Sequence, residues 1–186
     1  MLPIALVAPA IWFLTSCSFA KRASARDTSP APIPVTGPDV VPLHTDAVTL
    51  LELPDGRQAA FSPGSAEAAV LSSETETTLP TTLPNGNIFV SGMTINAIAS
   101  GAGLTTLPAG ATLTVAFTIP PEYTGRTLGL LFWDSTLDEN LGGWIDLRTT
   151  LPPGGQGAIA PTVTPDRRLT FSGNFPGTFV LVALRS

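Results

Sequence analysis

Thr112-Leu113-Thr114-Val115-Ala116-Phe117-Thr118-Ile119 decides the fold class of this chain. Leu113, Val115, Phe117 and Ile119 alternate with Thr112, Thr114, Ala116 and Thr118. Side chains that alternate with period two lie on opposite faces of a pleated strand, so this stretch has one apolar face. Pro120-Pro121 ends it, because proline cannot donate to a strand ladder.

The same reading extends in both directions. Toward the N-terminus it predicts strands over 47–53, 57–61 and 88–98. Pro54-Asp55-Gly56 and Ser62-Pro63-Gly64 supply the turns. Residues 66–71 are ambiguous, since their alanines also permit a helical turn, and 72–84 reads as a polar, Thr-rich loop. Gly92 marks a bulge or a close approach inside its strand. Toward the C-terminus, 127–133 is nearly all apolar, as expected of a strand covered on both faces, and 144–147, 168–171 and 178–184 complete the set. With 19 prolines and 17 glycines in 186 residues, long helices are disfavoured. The predicted fold is all-β, a two-sheet antiparallel sandwich of about eight or nine strands, with a closed barrel as the alternative.

Thr-Thr-Leu-Pro occurs four times, starting at Thr77, Thr81, Thr105 and Thr149. The offsets are unequal, so this is not a solenoid repeat. The expected role is punctuation: the threonines extend, the leucine packs, and the proline stops the ladder.

Residues 1–14, Met1 to Leu14, carry no charge. This apolar run is shorter than the ~20 residues a membrane-spanning helix requires. Leu14-Thr15-Ser16-Cys17 follows, and Cys17 is the one cysteine in the chain. The run resembles the bacterial lipobox, which implies a signal peptide over 1–16, diacylation of Cys17 and anchoring to a membrane facing the extracytoplasmic side. The pattern departs from an ordinary signal peptide in one respect. No basic residue precedes the apolar run, while Lys21, Arg22 and Arg26 follow it. An uncleaved anchor or ordinary secretion is the alternative. Residues 17–43 are rich in Ala, Ser and Pro and lack an apolar period, so they read as the lipidated cysteine and a disordered tether. Residues 44–186 form the predicted domain.

Charge excludes one class of partner. From His44 onward the chain carries twelve acids against six arginines and no lysine, a net of −6. Such a surface repels phosphate backbones, so nucleic acid is not an expected partner.

Four stretches resemble bacterial extracytoplasmic β-sandwich domains of the ZU5-like kind. They are Pro54-Asp55-Gly56 with Phe61-Ser62-Pro63-Gly64-Ser65, Leu107-Pro108-Ala109-Gly110 with the strand after it, Leu131-Phe132-Trp133-Asp134 with Gly143-Trp144-Ile145, and Asn174-Phe175-Pro176-Gly177-Thr178-Phe179. The resemblance implies a sandwich. Some proteins of this fold cleave themselves at a His-Phe-Ser site. Ala60-Phe61-Ser62 and Thr170-Phe171-Ser172 lack the histidine, so self-cleavage is not implied.

The search for chemistry leaves one candidate region. His44 is the single histidine and lies beside the tether, a poor setting for a rigidly held base. One histidine and one cysteine cannot make a usual zinc ligand set. Asp134, Asp138, Glu139 and Asp146 cluster around the Trp133–Trp144 loop. Their oxygens could hold calcium, and Trp133 and Trp144 could stack on sugar rings. A hydrolase would need Asp134 opposed to Asp138 or Glu139 across a substrate. The bland reading makes Asp134 a turn residue and the tryptophans a cross-strand pair. The expected function is a surface-tethered binding or scaffold module without catalytic residues or a required cofactor. Its partner would be the membrane through acylated Cys17, together with a surface protein or glycan. A calcium- or carbohydrate-binding module is the alternative, and a hydrolase is ranked below both.

Overall fold

The computed structural model describes residues 33–36, 41–44, 46–53, 55–63, 68–100, 102–158 and 160–185. Cys17 and the apolar run before it lie outside these residues. Among the described residues no helix is long and apolar enough to cross a membrane.

Two sheets pack face to face. In chain order the strands are β1 (Ile33–Thr36), β2 (Val41–Pro42), β3 (Thr49–Glu52), β4 (Gln58–Phe61), β5 (Ala68–Glu74), β6 (Ile88–Ala99), β7 (Ala102–Leu104), β8 (Leu113–Thr118), β9 (Leu128–Asp134), β10 (Gly143–Asp146), β11 (Thr162–Val163), β12 (Arg168–Gly173) and β13 (Gly177–Ala183). One sheet runs β1-β3-β4-β8-β12-β11 and the other β10-β9-β13-β6-β5-β2, with β7 folded back on β6. Every pairing is antiparallel except β1 with β3. The all-β sandwich read from the sequence is the observed architecture.

The alternating faces meet in one core. Leu51, Phe61, Leu113, Val115, Phe117 and Phe171 from the first sheet pack against Met93, Ile95, Leu130, Phe132, Phe179 and Leu181 from the second. The strand that decides the fold behaves as its pattern requires, with Leu113, Val115, Phe117 and Ile119 all buried. Aromatic rings close the core at one end. Phe175 meets Phe132 edge-on at 4.9 Å and stacks on Phe179 at 6.0 Å.

The outer face of the second sheet is covered as well. Leu131, Val180 and Val182 form a smaller cluster, and Leu79, Leu83, Phe89, Trp144 and Leu184 pack over it. This explains why the sequence of β9 and β13 is apolar on both alternating sets. It also gives the Thr-Thr-Leu-Pro motif its role. Leu79 and Leu83 cover the outer cluster, Leu107 is buried in the main core, and Leu151 packs against that core.

Three local expectations are refined. The ambiguous stretch 66–71 contributes to β5, which runs on through Glu74 into the stretch read as polar loop because it pairs with β6 along its whole length. The rest of that loop contains two single 3-10 turns, Glu76–Thr78 and Pro84–Gly86. The bulge in β6 falls at Val90, where the register with β13 skips a residue, and Gly92 marks a close approach. A Cβ there would sit 3.0 Å from Glu74 Cβ and 3.3 Å from the Phe89 ring. β1 and β2 lie within 17–43, the stretch assigned to a tether. Both are edge strands, where a proline such as Pro34 or Pro42 is tolerated because no inner ladder needs its missing donor.

Candidate functional site

Antiparallel pairing gives the sandwich two chemically different ends. β9 leads to the first, where Asp134, Asp138 and Glu139 lie. Asp134 is 8% exposed. Its Oδ1 accepts from the Thr136 backbone N–H at 2.8 Å and from the Thr136 hydroxyl at 2.7 Å, which closes the turn out of the strand. Asp138 and Glu139 are exposed, and with Asn140 they take left-handed backbone at φ 49°, 54° and 71°. Gly142 follows at φ 83°, and a Cβ there would collide with the Trp133 ring. Trp133 and Trp144 are directly opposed on β9 and β10, edge to face at 5.2 Å. The Trp144 indole N–H is buried without an acceptor among the described residues.

A cavity of about 450 Å³ opens at this end, with Asp134, Thr136, Asn96, Phe132, Pro152 and Phe175 in its wall. The structure brings Trp133 and Trp144 together, as cross-strand partners. It commits Asp134 to its own turn and turns Asp138 and Glu139 to solvent. Among the described residues no three His, Cys, Asp or Glu side chains meet as a metal ion would need. His44 is half-buried at the start of the domain, and its backbone N–H donates to Thr49 Oγ1 at 2.9 Å.

The opposite end holds the arginines. Arg57, Arg126 and Arg167 precede β4, β9 and β12, while Arg148 and Arg185 follow β10 and β13. Strands entering and leaving at one end bring all of them there, together with Arg168 at the start of β12. Three sit in Asp-x-Arg steps and pair locally. Arg57 contacts Asp55 at 2.7 Å, and Arg168 contacts Asp166 at 3.2 Å. Arg148 Nε donates to both oxygens of Asp146, at 2.9 and 3.1 Å. The hydrogen bond from Arg148 holds the Asp146 carboxyl below the ordinary aspartate range, against the opposing pull of partial burial. Burial pulls Asp55 upward, but its bonds to Arg57 and the charge of that residue outweigh it and the net direction is down. No carboxylate pairs with Arg126, Arg167 or Arg185 among the described residues.

Between the sheets at this end lies a cavity of about 260 Å³. Its wall is mostly apolar and includes Ile119, Tyr123, Leu128, Val163 and Leu169, and Arg126, Arg148 and Arg167 line it as well. Local chemistry fixes its rim. Pro121 opens a 3-10 turn over Pro121–Tyr123 that ends with Thr124 N–H donating to Pro121 O at 3.1 Å. Arg167 Nη2 then donates to Thr124 Oγ1 at 2.7 Å. Arg167 itself closes the β11–β12 hairpin, its N–H donating to Thr164 O at 3.0 Å, with left-handed backbone at φ 61°. Glycine is the usual residue at such a position. This pocket is not legible in the sequence, because its arginines are scattered over about forty positions. The available signal was that each stands at a strand terminus.

Comparison with protein-family models, with curated proteins and with solved structures finds no match to this chain.

Proposed function

We propose that this chain is a lipid-anchored, extracytoplasmic β-sandwich module of ZU5-like kind that binds and does not catalyse. The carrying observation is the make-up of the arginine pocket. Among the described residues three guanidiniums and no carboxylate, imidazole or thiol line it. A guanidinium keeps its proton throughout the physiological range, so it can hold an anion but cannot act as a general base. The hydroxyls of Tyr123 and Thr124 have no base beside them in that lining.

At the other end, the buried carboxylate of Asp134 is occupied by Thr136, and Asp138 and Glu139 are exposed. That arrangement supports a turn rather than opposed catalytic acids. The anchor is supported by the apolar run ending at Leu14-Thr15-Ser16-Cys17.

Fractionation tests the anchored reading. The wild-type chain partitions with membranes, and its mature mass corresponds to an acylated N-terminal Cys17. Cys17→Ser yields an unprocessed or released chain. Unchanged membrane association of Cys17→Ser, or a mature mass without acyl groups, rejects the anchor.

A further inference from the structure

We infer that the arginine pocket is a binding site for a small organic carboxylate with a compact apolar body. The inference deepens the binding-module reading and rests on it. Two features of the pocket select the ligand. The wall between Ile119, Leu128, Val163 and Leu169 offers apolar surface, and Val163 remains 63% exposed in the free protein. Arg126 and Arg167 give that wall a positive rim, with Arg148 beside them paired to Asp146, in a domain whose net charge is −6. An apolar body with one anionic end satisfies both at once. The volume, about 260 Å³, lies just below the usual range of ligand pockets, about 300–1,000 Å³, so the body is a single ring or a short branched chain.

Acidic groups near the rim are largely engaged. Asp146 is held by Arg148, and Asp166 by Arg168. Glu122 is exposed on the neighbouring turn. Arg167 is the group most clearly positioned for the task. Its side chain donates to Thr124 Oγ1 and to Ile119 O, and its backbone takes the left-handed region that non-glycine residues rarely adopt. A turn alone would be served better by glycine.

Tyr123 is the chain's single tyrosine and lies in the pocket wall, so isotope-labelled tyrosine places one NMR reporter at the site. The purified full-length chain is titrated with benzoate, with its neutral isostere benzamide, and with acetate. Benzoate is expected to shift the tyrosine signals saturably at millimolar concentration. Benzamide should bind roughly tenfold more weakly, because it forfeits the charge-assisted bonds, and acetate should produce no shift. Arg167→Gly suits the left-handed turn, so it should fold and still lose about tenfold in benzoate affinity. Arg126→Ala should weaken binding in the same direction. Equal binding of benzoate and benzamide, no shift with benzoate, or wild-type affinity in folded Arg167→Gly overturns the inference. Those results leave the anchored module standing, since Cys17→Ser tests it independently. A chain that never reaches the membrane would sink the module without altering the benzoate titration.

Discussion

Asp134 and Arg148 stand at opposite ends of the same strand pair, β9 with β10, and their surroundings differ in kind. At the Asp134 end, Thr136 occupies the buried carboxylate, Trp133 faces Trp144, and the cavity beside Phe175 is lined by no arginine among the described residues. At the Arg148 end, Arg126, Arg167 and Arg185 have no carboxylate partner among the described residues, and a mostly apolar cavity stays open between the sheets. The acids are close together in sequence and the arginines are not. A cluster of charges in the sequence is therefore a weaker guide to a site than charges left without internal partners once the chain is folded.

The largest expected effect tests whether the Asp134 end is structural. Phe175 is 2% exposed and touches Phe132, Phe171 and Phe179. Phe175→Ala removes a buried ring and leaves a cavity among the others, so it should cost about 3–5 kcal/mol in urea unfolding. A cost below about 1 kcal/mol would mean that this end is loosely packed and free to serve another purpose.

The contrast also marks what was legible in the sequence. Period-two alternation in β8 and the doubly apolar runs of β9 and β13 were readable because burial acts on each side chain locally along the strand. Eight of the longer strands follow from that signal; β5 does not, since its alanines also permit a helical turn and its last residues, Ser72–Glu74, read as polar loop. β2 and β11 have two residues each and β7 has three, too few for any period. β1 carries Pro34 and reads as linker until an edge position makes its proline harmless. Asp134, Trp133 and Trp144 were readable as turn and cross-strand residues, since their partners lie within a dozen positions. The Arg126–Arg148–Arg167 constellation was not. It depends on which strand ends the topology gathers, and that is a non-local fact about antiparallel connectivity.

A smaller effect probes the acidic loop directly. If Asp134, Asp138 and Glu139 held calcium, the ion at ten times its Kd would stabilise the fold by about 1.4 kcal/mol. With Asp134 bonded to Thr136 and the other two exposed, millimolar calcium should leave thermal unfolding unmoved. A reproducible upward shift that disappears in Asp138→Asn would break the contrast between the ends, because the acidic end would then be a site as well.

The smallest effect sharpens the description of the arginine end. Asp146 and Asp55 are held below the ordinary aspartate range by their arginines. A carboxyl whose pKa is lowered on folding contributes stability above its unfolded value, about pH 4, and loses it as pH falls through the folded value. Asp146 is about one-quarter exposed (28%), so solvent screening keeps its pair with Arg148 below about 1 kcal/mol. Asp146→Asn should therefore lower stability slightly at neutral pH and flatten the decline as pH falls below about 4, as read from urea midpoints. The same variant frees Arg148 to face the cavity. Benzoate binding should consequently tighten while the fold weakens, a pairing of signs that a purely structural salt bridge would not give. If both fall together, Arg148 belongs to the scaffold, and the anion site narrows to Arg126 and Arg167.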